Sequence, residues 1–232
     1  MSASTTDPAT HEEVLASFIE LGGKRVVDVG SGSGELVRWL RSQQADAVGV
    51  ECGELMIGLA RTADPDHRDD YLEGVGQDLP LPDDSADAVV FSSSLHHVPQ
   101  AEMVNALREA HRVLHLGGTL YVVEPVAAGP SHEITKLIDD ETQVRTDAQT
   151  ALGEAPTLGF EVIAEPSYTN RRIVRSADAL AERIVGIDPT RAERMQQVWP
   201  EFLERFEALA VATDDGYVLP QEFRAKVFRK NA

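Results

Sequence analysis

The chain has 232 residues, 42% hydrophobic and 26% charged, which suits one sizeable α/β domain and is tight for two. A formal charge of -18, from 39 acidic and 21 basic side chains, repels phosphate backbones, so no long nucleic acid is expected as a partner. No apolar run approaches the roughly 18 residues of a membrane span, the polar start lacks a secretory signal, and Cys52 is the only cysteine, so a reduced, cytoplasmic setting is expected.

Residues 1–9 read as disordered, and residues 11–21 as a helix with Val14, Leu15, Phe18 and Ile19 at helical spacing, covering the ligand site. Gly22 and Gly23 end it. A buried strand begins at Arg25 with Val26, Val27 and Val29, and glycines follow at positions 30, 32 and 34. Glycine at alternate positions permits left-handed backbone and close approach of a ligand. Leu36, Val37, Trp39 and Leu40 then open an amphipathic helix whose first amides face that ligand. A second strand, 47–51, closes on Glu51, 23 residues after Asp28, and an acid there can accept both hydroxyls of a ribose.

A helix over 54–62, an acidic solvated loop over 64–70 and a short strand over 71–73 come next. Pro80 and Pro82 hold a turn before a buried strand over 86–91, which leads into Ser92 and the connection 95–98. A long helix over 101–114 precedes a strand over 119–124. Strand and helix thus alternate as in a parallel sheet covered on both faces, with the ligand crevice at the strands' carboxyl ends. Beyond Pro125 the expected elements are a helix over 133–152, a strand over 160–165, a helix capped by Ser176 and running to Ile184, a helical region over 189–212 bent at Pro200, and a strand over 218–228.

The runs VVDVGSGSGEL (26–36), AVGVECGELMIGLAR (47–61), QDLPLPDDSADAVVFSSSLHHV (77–98) and LREAHRVLHLGGTLYVVEP (107–125) resemble the class I S-adenosylmethionine-dependent methyltransferases, particularly the subgroup of ubiquinone-biosynthesis C-methyltransferases. The resemblance implies a three-layer α/β Rossmann-like fold: a mostly parallel seven-stranded sheet with an antiparallel final strand and added helices. It implies one domain over 1–232, with a cofactor-binding core at 10–125, an acceptor side at 126–232 and a helical lid at about 176–212. S-adenosylmethionine is the implied cofactor, S-adenosylhomocysteine its product, and a small molecule the expected acceptor at O, N or C.

Carried onto this chain, the resemblance places Asp28, Gly30, Ser31, Gly32 and Gly34 around the amino-acid end of the cofactor and Glu51 on the ribose. Cys52, Met56, Gly76, Gln77, Asp78 and Ser92 complete the implied cofactor contacts. Val75 stands where relatives often carry an adenine-binding Asp or Asn, and a valine side chain cannot accept that bond; Gln77, Asp78 or the Gly76 backbone could replace it. Either His96 or His97 could serve as a general base, since imidazole titrates near neutral pH, or could simply hold its loop. Glu124 could contact the acceptor or be structural. Tyr168, Arg171 and Arg172 are expected in a loop beside the acceptor, and Trp199, Phe202, Phe206 and Leu209 on the core-facing stripe of the lid. No metal-ligand spacing or serine triad emerges, so no metal is expected. The glycine turn and distant acid also fit an NAD-dependent oxidoreductase, and the Val75 departure a non-catalytic binding protein.

Overall fold

The computed structural model describes residues 4–231, and the side chains among them except those of residues 4–8, Arg171 and Arg172. Alternation of apolar and glycine-rich stretches builds the first half as β1 (Ser4–Pro8), α1 (His11–Ala16), β2 (Arg25–Val29), α2 (Glu35–Ser42), β3 (Asp46–Glu51), α3 (Glu54–Ala63) and β4 (Tyr71–Glu73). There follow β5 (Ala86–Ser92), α4 (Met103–Val113), β6 (Leu114–Pro125), α5 (Pro130–Thr135) and α6 (Thr142–Leu152). The chain ends through β7 (Phe160–Ala164), β8 (Ser167–Val174), α7 (Ala177–Ile187), α8 (Ala192–Leu209), β9 (Val211–Thr213) and β10 (Gly216–Lys230).

All ten strands join one sheet, ordered β1-β8-β10-β6-β5-β2-β3-β4, with β7 and β9 also on β10. The pairings among β2, β3, β4, β5 and β6 are parallel, and β10 is antiparallel to β6. Numbered as in the expected fold, this is the order 3-2-1-4-5-7-6. The long β10 carries β8 along its first half and β7 along its second, so β7 and β8 form one interrupted edge broken at Glu165 and Pro166.

Side-chain alternation explains the three layers. Val27 and Val29, Val89 and Phe91, and Leu120 and Val122 point to the face packed by α4 and α6. Val26, Val90, Tyr121 and Val123 point to the other face, against α1, α2 and α3. Both faces are therefore buried, and these strands read as continuous apolar runs. A third cluster joins α5, α7 and α8 to β8 and β10 through Ile134, Leu180, Met195, Phe202 and Leu219.

Several expectations need correction. Residues 4–8 are a strand parallel to β8; residues 1–3 lie outside the described residues. The first helix is shorter than expected, packs through Leu15 onto the sheet, and contributes no residue to the ligand cleft. The helix expected over 133–152 is two, α5 and α6, separated by residues 136–141. Tyr168 belongs to β8, where it is buried and shares a hydrogen bond with His11 at 2.6 Å, so it does not border a loop. Arg171 and Arg172 are also in β8, their side chains outside the described residues. Ser176 does cap α7, accepting from the Ala179 amide, and α8 runs through Pro200 as one helix.

The turn after β2 is the tightest point. Gly30 has φ +74°, and a Cβ there would sit 2.5 Å from the Cβ of Ser94. Gly23 has nearly the same φ, +70°, with nothing within 4 Å of a Cβ. Both Gly23→Ala and Gly30→Ala should cost about 1–2 kcal/mol for left-handed backbone. Gly30→Ala should cost roughly 1–3 kcal/mol more, because Ser94 must shift. Urea unfolding of the two variants measures the difference, and equal losses would refute the packing account.

Candidate active site

The carboxyl ends of β2, β3, β5 and β6 open on one side of the sheet, where the strand order reverses between β2 and β5. A cleft of about 920 Å³ lies there, lined by the glycine turn, the ends of β3 and β5, and one face of α7. A smaller cavity of about 270 Å³ adjoins it, and Ser93, His97 and Ile187 line both.

In the larger cleft, Glu51 closes β3 and its carboxylate ties two loops together. Oε2 accepts from the Gly32 amide at 2.9 Å and Oε1 from the Gly53 amide at 2.7 Å. It thus supports the entry to α3 as well as the glycine turn, and each oxygen retains a further acceptor position. Asp28 is 2% exposed and its Oδ1 has no hydrogen-bond partner. Burial, reinforced by the charge of Glu51, pushes its carboxyl up to about 7. An isolated buried carboxylate is costly, so this atom is set to receive a cationic or donor group. Gly32, at φ +53°, leaves open space where a Cβ would be.

Of the residues expected at the cofactor, Asp28, Gly30, Ser31, Gly32, Glu51, Cys52, Met56, Gly76, Gln77 and Ser92 line this cleft. Gly34 does not: it is the residue before α2, and a Cβ there would meet the Tyr71 ring at 2.6 Å, so its role is packing. Asp78 also lies off the cleft, in a shallow neighbouring depression, and its amide donates to the Val75 carbonyl at 3.1 Å. Val75 does line the cleft, and Gln77 is the nearby side chain that can replace its missing acceptor.

The two adjacent histidines diverge. Glu124, fully buried at the end of β6, accepts from the Leu95 amide at 3.0 Å through Oε1 and holds His96 Nδ1 through Oε2. His96 faces the smaller cavity, with Nε2 3.9 Å from Glu141. His97 is more open and borders both cavities; burial, then the neighbouring His96, pushes its imidazole below the usual range. Burial works to raise the Glu141 carboxyl, but Arg145 and then His96 outweigh it and hold it below the usual carboxylate range. Glu141, Arg145, Arg191 and Arg183 were not anticipated, because nothing local in sequence marks residues this distant as neighbours of the histidines.

His96, His97 and Glu141 bring three possible metal-ligating atoms within 4.8 Å of one another. Arg145 already donates to Glu141 Oε2 at 2.6 Å, so a cation there would compete with a guanidinium.

A glycine turn after the first parallel strand, an acid closing the second, and an antiparallel final strand define the class I S-adenosylmethionine-dependent methyltransferases, and the chain belongs to that family. A model described as a methyltransferase domain matches residues 27–122. The chain is 30% identical over 210 residues to 27-O-demethylrifamycin SV methyltransferase of Amycolatopsis mediterranei, covering 84% of this chain and 67% of that one. It is 34% identical over 107 residues to a ubiquinone/menaquinone biosynthesis C-methyltransferase of Rhizobium meliloti, covering 43% of this chain and 41%, less than half, of that enzyme. The fold matches that of the YcgJ protein from Bacillus subtilis with a TM-score of 0.62 at 18% identity, over 95% and 97% of the two chains. The protein is a methyltransferase with S-adenosylmethionine as donor, which sets aside the dinucleotide and non-catalytic readings. Among the described residues, no helix is long and apolar enough to cross a membrane.

The raised Asp28 value has a signed consequence. Its folded pKa of about 7 lies above the ordinary 3.8, so its contribution to ligand-free stability declines as pH rises from 3.8 to about 7. A cationic partner favours the ionised form, so affinity for S-adenosylhomocysteine should climb by up to about tenfold per unit below pH 7 and level above it. Asp28→Asn should flatten both profiles and weaken binding. Calorimetry across pH 5.5–8.5, on the order of three units around this value, tests the reading, and an unchanged profile in the variant would defeat it.

Proposed function

We propose that the enzyme methylates a hydroxyl oxygen of a small-molecule acceptor held in the smaller cavity, with His96 as general base. The carrying observation is the asymmetry of His96: Nδ1 is engaged by buried Glu124, while the ring borders the cavity. A carboxylate only accepts, so the neutral ring carries its proton on Nδ1 and presents a lone pair on Nε2. An acceptor that must lose a proton, such as an alcohol or phenol, can use that lone pair. The relative named for 27-O-demethylrifamycin SV is consistent with an oxygen acceptor.

The larger cleft suits the donor. Asp28 Oδ1 would take the ammonium of its amino-acid end, and the free acceptor positions of Glu51 the ribose hydroxyls. Met56 and the Gly76 backbone would pack the adenine, with Gln77 in place of the acceptor that Val75 lacks. When bound, the cofactor supplies an electrophilic methyl group. Ser92 and Ser93 would hold the boundary between donor and acceptor, which the chain must bring into line. Once protonated, His96 lies between the carboxylates of Glu124 and Glu141, which stabilise the imidazolium. Residues 10–125 then serve the donor and 126–232 chiefly the acceptor, with α7 and α8 as the lid; Ile184 and Ile187 of α7 wall the acceptor cavity.

A panel of hydroxylated acceptors with isotopically labelled donor identifies a substrate. With it, His96→Ala should lower kcat by about 10²–10⁴, leaving S-adenosylhomocysteine binding intact. Glu124→Gln should act in the same direction. A His96→Ala enzyme with near-normal kcat would rule out this base.

A further inference from the structure

The amino-acid end of the donor carries a carboxylate as well as an ammonium, and it needs partners of both signs. Asp28, Glu35 and Glu51 line the larger cleft with negative charge. Among its described lining residues, Arg183 is the one lysine or arginine. Its guanidinium has no ion pair or hydrogen bond to any described residue. Arg25, Arg41, Arg112, Arg145, Arg191 and Arg205 each meet a carboxylate, and the other described arginines without a partner, Arg68, Arg175 and Arg229, are exposed away from this cleft. Arg183 is exposed at the rim of a cleft whose other charged side chains are acidic, and an unpaired guanidinium in that position points to an anionic ligand group.

We propose that Arg183 binds the carboxylate of the donor's amino-acid end, and that this contact draws α7 onto the cofactor and completes the acceptor cavity. The proposal rests on the donor placement given above. Arg183 sits on the lid, some 150 residues from the glycine turn, so the contact ties the two ends of the fold through the ligand. The guanidinium fork matches a carboxylate in bidentate geometry. Ile184 and Ile187, the next residue and one turn along the same helix, line the acceptor cavity, so seating Arg183 fixes its wall as well. Donor binding thereby precedes productive acceptor binding, and Arg183 is a positioning residue that recognises the end of the cofactor remote from the chemistry.

The test compares two ligands that share a nucleoside. S-adenosylhomocysteine carries the amino-acid end; 5′-methylthioadenosine lacks it. Calorimetry on the full chain should show Arg183→Gln weakening the first by about tenfold or more and the second by less than about twofold, with Arg183→Lys recovering part of the loss. Hydrogen exchange should slow across α7 on adding S-adenosylhomocysteine, to a smaller extent with 5′-methylthioadenosine, and not in Arg183→Gln. Equal effects on both ligands, or no effect on either, would overturn the assignment of Arg183 while leaving the donor site standing. Failure of the wild-type chain to bind S-adenosylhomocysteine would remove the donor site, and this proposal with it.

Discussion

Two carboxylates buried at the ends of neighbouring parts of the sheet, Asp28 on β2 and Glu124 on β6, set the chemistry of everything above them. Their burial is alike, at 2% and 0% exposure, but their satisfaction is opposite. Glu124 has a partner on each oxygen, the Leu95 amide and His96, which pins the loop after β5 and orients the His96 ring. Asp28 keeps an oxygen without a partner, a costly state for a buried carboxylate. Under the proposed function, Glu124 orients the base and Asp28 waits for the donor's ammonium.

The glycine turn matters because of what packs beneath it. Gly30 and Gly34 are constrained from below, by Ser94 and Tyr71, where a Cβ would collide; Gly32 alone opens upward. Two of the three glycines therefore bring the backbone down onto the ends of β5 and β4, and the remaining one leaves room for a ligand. This division explains how a short run can be both a rigid corner of the fold and the floor of a cleft.

The central sheet was legible because its strands are buried on both faces, so Val26, Val27 and Val29, or Val89, Val90 and Phe91, write an unbroken apolar signal. The outer strands carry no such signal. In β8 the sequence SYTNRRIV mixes polar and charged residues, and its pairing is set by the long β10, so the strand is a tertiary result more than a local one. The same holds for β1, whose STTDP composition favours a turn and which exists by pairing with β8. At the site, glycine and acid spacing is local and readable. The distinction between His96 and His97 is not, because it depends on Glu124 and Glu141, 28 and 45 residues away from His96.

The two cavities share a wall, and under the proposed function the methyl group crosses there. Ser93, His97 and Ile187 each face both spaces, and they come from a strained turn after β5, a short helical turn and α7. Ser93 holds φ +56°, an uncommon conformation for a non-glycine residue, while its amide is tied to the Val123 carbonyl at 2.8 Å. Such a conformation persists when its surroundings over-determine it, here β6 on one side and the Ser94 contact with the Val29 carbonyl on the other. The boundary is thus tied down by hydrogen bonds on the sheet side, while Ile187 reaches it from the end of α7. Under the proposed function, a methyl group crossing this boundary needs donor and acceptor held close and in line, and a floor fixed from the sheet supplies that positioning while His96 handles the acceptor's proton.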